Sequence, residues 1–203
     1  MLKHRITHLV PLILASTSEG RRAQLTRAGL TFDCMQPLTD EEDVKPTIAH
    51  LPLDQQALAL ARVKGEALSA AHPDKVVISG DQICALGDEI LHKPLTNDRA
   101  AQQLAHMSGK THQLYTGGCL FRGGKVIWED VTITSLHMRE LYQQEIDRYV
   151  LLEDVRFSSA SYKIEGLGLH LMERIDGDTN AIMGLPLVGI LNALHSHKLI
   201  KIG

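Results

Sequence analysis

The chain has only three cysteines, Cys34, Cys84 and Cys119, and no C-x-x-C pair. That excludes a disulfide framework and a cysteine-built zinc site, and it fits a reducing cytosol. Long apolar runs are also missing. Residues 9–15 are apolar but too short to span a bilayer, and their flanks lack the pattern of a signal peptide. A soluble, cytoplasmic protein with no membrane association is expected. Neither sign of charge dominates: the net charge is -3, with 44% hydrophobic and 22% charged residues. This excludes a disordered chain and a surface that coats nucleic acid polymers, while leaving room for a local cationic pocket. With no internal repeat, low-complexity tract or linker, 203 residues suit a single domain over 1–203, with residues 1–8 as a polar lead-in.

Two apparent motifs can be set aside. Ser108-Gly109-Lys110-Thr111 resembles the tail of a P-loop, but Leu104 stands where the first glycine is required. Eleven histidines include one close pair, His195 and His197, and no H-E-x-x-H.

The remaining pattern alternates strands and helices, the mark of an α/β fold. Residues 9–15 read as a first buried strand, with Pro11 near its start. Ser16-Thr17-Ser18 offers helix caps, and a helix runs to about Ala28, closed by Gly29. Residues 31–36 read as a strand, and Thr39-Asp40-Glu41-Glu42-Asp43 as an acidic loop between Pro37 and Pro46. Residues 53–71 carry the best helical periodicity, with Lys64 on the apolar face and an Arg62/Glu66 i,i+4 pair opposite. Val76-Val77-Ile78 reads as a strand buried on both faces, running into Ser79-Gly80 and delivering Asp81 at its end. Hairpins follow at Gly87-Asp88 and Gly123-Gly124. Helices are expected over 97–107 and 139–151, and from Pro186 to about His195.

Several groups could carry chemistry. Ligands of α/β proteins gather at the carboxyl ends of buried strands, where Asp81 is expected; as a local signal alone, Ser-Gly-Asp reads first as a turn after a buried strand. Arg21 and Arg22 open a helix, where each cation costs about 0.3–1 kcal/mol. With Ser16, Thr17 and Ser18 they form either a phosphate cradle or a solvated basic pair. Lys64 either snorkels from its apolar face or points into a site. The acidic loop is either solvated or a holder of Mg²⁺ together with substrate phosphates. Lys93, stiffened by Pro94, is ambiguous alone.

Taken together, Ser16-Thr17-Ser18, Arg21, Glu41, Lys64, Asp81 and Lys93-Pro94 resemble, in order and spacing, the Maf family of nucleoside triphosphate pyrophosphatases. Ser108-Gly109-x-x-His112, Tyr115-Thr116-Gly117, residues 161–168 and Gly184-Leu185-Pro186-Leu187 extend the resemblance over about residues 10–195. It implies an elongated α/β fold like that of inosine triphosphate pyrophosphatases, with a mixed sheet flanked by helices and two lobes around a central cleft. A homodimer is also implied. The implied reaction is NTP + H2O → NMP + diphosphate with Mg²⁺ or Mn²⁺, which makes the chain a hydrolase acting on acid anhydrides. Carried over by position, Asp81 is the proton acceptor, and Ser16, Arg21, Lys64 and Lys93 bind phosphate. Lys64 and Lys93 also serve catalysis, and Asp81 and Glu41 hold the metal.

Gly80-Asp81-Gln82 and Lys163-Ile164-Glu165-Gly166 look like the branch that prefers 7-methyl-GTP. A carboxylate such as Glu165 can accept two hydrogen bonds from a guanine edge, and its charge suits a cationic base. Gly20, Gln82 and Glu165 are the expected specificity positions. The branch usually has Pro-Trp before its arginine pair, where this chain has Glu19-Gly20. The chain therefore forgoes an aromatic stack worth about 0.5–2 kcal/mol. Alternatives are a pyrophosphatase for dTTP, UTP or other modified nucleotides, and a non-catalytic nucleotide-binding regulator of septum formation.

Overall fold

Strands β1 (Ile6–His8) and β2 (Leu12–Ala15) are followed by helix α1 (Glu19–Arg27), strand β3 (Asp33–Met35) and a short helix α2 (Lys45–Ile48). Then come α3 (Leu53–Ala71), β4 (Val76–Leu86), β5 (Glu89–Leu91), α4 (Asn97–Met107), β6 (Thr111–Arg122) and β7 (Lys125–Met138). The chain ends with α5 (Gln143–Leu152), β8 (Met172–Asp176), α6 (Leu187–Ser196) and β9 (Ile200–Ile202). The structure is a computed structural model and describes residues 6–203. Its chain forms two compact units. One comprises the described residues through Gln82, with Thr116–Thr132 and Gly184–Gly203; the other comprises Ile83–Tyr115 and Ile133–Met183.

In the first unit, β2 lies between β3 and β4 and runs parallel to both, and the strand order is β3-β2-β4-β6-β7. Side chains of β2 and β4 alternate between two cores, as a period of two requires. Leu12, Leu14, Val76 and Ile78 face Leu25 of α1 and Ile190 and Leu194 of α6. Ile13, Ala15 and Val77 face Ala61 and Leu68 of α3, together with Phe121. Both faces of β4 are thus covered, which explains its unbroken β-branched start. β6 and β7 are joined through Gly123-Gly124, whose φ values of 57° and 76° are those of a type I′ hairpin turn. β1 and β9 pair antiparallel, with Ile6 opposite Ile202.

In the second unit, the end of β4 pairs antiparallel with β5, and β7 pairs antiparallel with β8. Its core is Leu104 and Met107 of α4, Leu114, Leu136 and Met138 of the strands, and Ile146, Tyr149 and Val150 of α5. Among the described residues, no helix is long and apolar enough to cross a membrane.

Most expected elements are present, and α3 has the expected bounds. Four readings are corrected. Residues 6–8 are a strand rather than a polar lead-in, because β9 pairs with them; residues 1–5 lie outside the described part. β2 begins at Leu12, not residue 9, since Pro11 supplies no N–H to a ladder. α5 begins at Gln143 rather than residue 139, because the Tyr142 N–H donates to Glu145 Oε2 at 2.9 Å and fixes the start there. Arg62 does not close on Glu66 as an i,i+4 pair: its guanidinium forks onto both oxygens of Glu129 on β7, a better match for two parallel N–H groups.

Candidate active site

Asp81 is not at a strand end. β4 continues through it to Leu86, so Ser-Gly-Asp is extended backbone and not a turn. The strand end that matters belongs to β2, whose register with β4 finishes at Leu14↔Ile78. Ser16 follows directly after β2, and Asp81 lies three residues beyond the last pair. Ser16 and Asp81 thus lie beyond the carboxyl end of β2, the neighbouring strand, a place where ligands of α/β proteins gather.

Residues 79 and 81 share the face of β4 that packs on α3. The Ser79 hydroxyl donates to the Ala61 carbonyl at 2.7 Å, tying strand to helix. From the same helix Lys64, flanked by buried Leu60 and Leu68, sends its ammonium to Asp81 Oδ1. The same ammonium meets Glu41 Oε2 at 2.5 Å. Lys64 therefore points inward, and it joins two carboxylates that the sequence separates. Glu41 rather than Glu42 is the member of the acidic loop brought to it. Glu42 is exposed and pairs with Lys45, and its N–H donates to Asp40 Oδ1 at 3.0 Å.

At the start of α1, Ser18 is the N-cap and Ser16 Oγ accepts the Ser18 N–H at 3.1 Å. Arg21 turns back from the helix: Nε donates to the Gly184 carbonyl at 2.9 Å and Nη1 to Ser16 Oγ at 3.3 Å. Lost hydration lowers its affinity for the proton, and the charges of Asp81 and Glu41 act in the opposite sense. The anions that justify a cation at this helix start are thus carboxylates of the protein itself. Arg22 is exposed. Gln24, one turn on, is buried and donates to the Leu185 carbonyl at 2.9 Å, so α1 grips two successive residues of the 184–185 segment.

Gln82 follows Asp81 and so points to the opposite face of the strand. There Nε2 donates to Thr116 Oγ1 on β6 at 2.9 Å. Gly80 shares that face, and a Cβ on it would stand 2.6 Å from Leu185 Cδ2. Gly20 sits in the first turn of α1.

The second unit holds the other two expected groups. Lys93 is exposed, on the wall of an open cavity of about 440 Å³ shared with His92, Arg99 and His106. Glu165 is exposed, in a turn just before the 3-10 segment Leu167–Leu171. The structure therefore brings together Ser16, Arg21, Glu41, Lys64 and Asp81 in one unit, and places Lys93 and Glu165 in the other.

Other chemistries find no support. Cys84 and Cys119 are buried and their thiols pushed up to about 12 by desolvation, so neither is a thiolate at neutral pH. Ser108 is the C-cap of α4, and its hydroxyl accepts the Leu141 N–H at 2.7 Å, a turn function rather than a phosphate loop. Among the described residues no three of His, Cys, Asp and Glu cluster as a metal cage. Glu41 and Asp81 are hard oxygen donors held by one ammonium. That donor set fits a cation of the Mg²⁺ type, which takes one or two carboxylates together with substrate phosphates.

Sequence reasoning missed Gln24, the Gly184 carbonyl and Thr116 as a partner of Gln82. The signal for Gln24 was a polar residue one turn after Arg21. A backbone acceptor such as Gly184 leaves none.

The arrangement defines an α/β protein in which part-buried Lys64, Arg21 and Glu41 meet the buried Asp81 past the end of a parallel strand, a site where cations can face phosphate oxygens. The chain belongs to the Maf family: residues 11–197 match the family described as Maf-like protein. A protein of Bradyrhizobium diazoefficiens named nucleoside triphosphate pyrophosphatase is 38% identical over 194 residues, which cover 95% of this chain and 96% of that one. A protein of Brucella abortus named 7-methyl-GTP pyrophosphatase is 40% identical over 195 residues, covering 94% and 98%. A nucleoside triphosphate pyrophosphatase of Rhodopseudomonas palustris is 37% identical over 192 residues, covering 94% and 95%.

Proposed function

We propose that this chain is a nucleoside triphosphate pyrophosphatase, cleaving NTP + H2O to NMP + diphosphate, with 7-methyl-GTP as its preferred substrate. The observation that carries the reading is the Lys64 ammonium bridging Asp81 and Glu41 beside Arg21. Such a cluster combines a proton acceptor with cations that can take phosphate oxygens. The relatives named for this activity, each spanning nearly the whole of this chain, support the reaction class.

In this reading Asp81 orients a water towards the α-phosphorus and takes its proton. General-base catalysis of this kind contributes roughly 10²–10⁴-fold, on top of positioning. Arg21, Lys64 and the Ser16 hydroxyl hold phosphate oxygens, and Lys93 is a further phosphate-binding position. Asp81 and Glu41 would hold Mg²⁺ or Mn²⁺, which supplies neutralisation of the phosphate charge. Glu165 reads the guanine edge, with Gln82 and Gly20 as further specificity positions. The inosine triphosphate pyrophosphatase-like fold, a homodimer and a cytoplasmic, house-cleaning role belong to the same proposal.

The base preference rests on Gln82 and Glu165 and on the name of the Brucella relative, whereas the Bradyrhizobium name specifies no base. The test is kcat/KM for 7-methyl-GTP, GTP, UTP and dTTP with Mg²⁺, following diphosphate release. The highest value is expected for 7-methyl-GTP. Fastest turnover of UTP or dTTP would overturn the base preference and leave the reaction standing. Orthophosphate as product, or no turnover at all, would overturn the reaction and favour a nucleotide-binding regulator.

A further inference from the structure

Glu165 stands midway between two backbone amides that a single helix holds. The Lys163 N–H donates to the Tyr149 hydroxyl at 3.1 Å, and the Leu167 N–H donates to Glu153 Oε1 at 3.1 Å. The two acceptors are joined: the Tyr149 O–H donates to Glu153 Oε2 at 3.0 Å. Tyr149 and Glu153, one turn apart at the end of α5, thus close a clamp around the segment 163–167.

Three further observations fit a device rather than an incidental contact. Tyr149 is buried among Val150, Val155 and Tyr162, so the clamp is anchored in the core. Residue 166 is glycine, and any Cβ there would run into the Glu153 carboxylate. Glu153 is the C-cap of α5, where the helix dipole disfavours a negative charge. A carboxylate at that position is explained by the tyrosine hydroxyl and the amide it receives. Burial, reinforced by the Glu153 and Glu165 charges, also keeps the phenol protonated, so it remains a donor.

We infer that Tyr149 and Glu153 are positioning residues for base recognition: by holding the amides on either side of Glu165 they set where its carboxylate meets the nucleobase. The inference rests on the reading of Glu165 given above. It concerns base choice alone and assigns the clamp no part in phosphate chemistry.

The test compares Tyr149→Phe, Glu153→Ala, Glu153→Gln and Glu165→Gln, with kcat and KM for 7-methyl-GTP and UTP and with amide exchange at Lys163 and Leu167. Tyr149→Phe and Glu153→Ala are expected to raise KM for 7-methyl-GTP roughly tenfold, the loss of about one charge-assisted hydrogen bond. The kcat values and the KM for UTP should hold, and the two amides should exchange faster. Glu153→Gln retains an acceptor for Leu167 and should keep most of the selectivity. Unchanged selectivity in Tyr149→Phe and Glu153→Ala, with selectivity lost in Glu165→Gln, overturns the clamp and leaves the base reading intact. Unchanged selectivity in Glu165→Gln overturns the base reading and the clamp's role with it. A parallel fall in kcat for both nucleotides also overturns the inference, because it marks a general structural role.

Discussion

The Lys64 ammonium, carried on α3, is hydrogen-bonded to the Asp81 carboxylate on β4. In Asp81→Asn the amide oxygen can still accept from Lys64, so the contact between helix and strand survives while the carboxylate proposed as proton acceptor is lost. The expected outcome is a fall in kcat of about 10²–10⁴-fold with little change in melting temperature. Diphosphate release and a thermal melt on the same preparation check both halves. Activity above a few per cent of wild type would remove Asp81 from the base role.

Arg21 uses two separate nitrogens, one on the Gly184 carbonyl and one on Ser16 Oγ. A lysine has one ammonium and no fork, so Arg21→Lys leaves one acceptor unmatched. The cost is expected at about 1–3 kcal/mol, visible as a melting temperature several degrees lower. KM for the nucleotide should rise in the same variant. An unchanged melt would show that Arg21 does not anchor the 184 segment.

Gly80 is the residue next to Asp81 with no room for a side chain. A Cβ would stand 2.6 Å from Leu185 Cδ2, 3.0 Å from the Gly117 carbonyl and 3.2 Å from the Gly184 carbonyl. Leu185 is fully buried and cannot swing aside. Gly80→Ala should therefore cost about 1–3 kcal/mol through overpacking. By shifting the strand beside Asp81 it should also lower kcat by up to about 10²-fold. Wild-type kcat in this variant would mean that the neighbourhood yields without moving Asp81.

His112 gives a prediction in pH. It is buried and bonded through Nε2 to the Tyr162 hydroxyl at 2.7 Å, and burial lowers its pKa from 6.5 to about 4. Because the folded value lies below the unfolded one, the neutral ring's contribution is fully present above about pH 6.5. As pH falls towards 4 the unfolded chain takes up the proton first, and about 3 kcal/mol is lost across that window. In His112→Gln this dependence should vanish. Denaturant unfolding between about pH 4 and 7 should show the gap between wild type and variant narrowing as pH falls. A constant gap would rule the effect out.

The elements whose signal is local were legible in the sequence. α3 could be bounded to the residue because three- and four-residue spacing persists along its whole length. Lys64 stood out as a cation on that apolar face, and the structure brings its ammonium to two carboxylates. The run of Ser79, Gly80 and Asp81 has turn chemistry when read alone. Its neighbours keep it extended, and a neighbour is not written in the segment. Arg62 shows the same limit, since its partner Glu129 lies 67 residues away and outcompetes the nearby Glu66. The hold of Arg21 and Gln24 on the 184–185 carbonyls was invisible because main-chain acceptors have no residue type.

The cluster around Lys64 also has a consequence for electrostatics. Arg21 and Lys64 carry two positive charges, and Asp81 and Glu41 carry two negative ones, so the four groups are already neutral as a set. Lys45 is likewise matched by Glu42. A nucleoside triphosphate brings several negative charges, and the cations of this cluster have no surplus to offset them. Affinity should therefore depend on the charge that accompanies the substrate. The substrate should bind better as a complex with its own divalent cation than as the bare anion, and ordinary monovalent salt should weaken binding less than it would at an open basic patch.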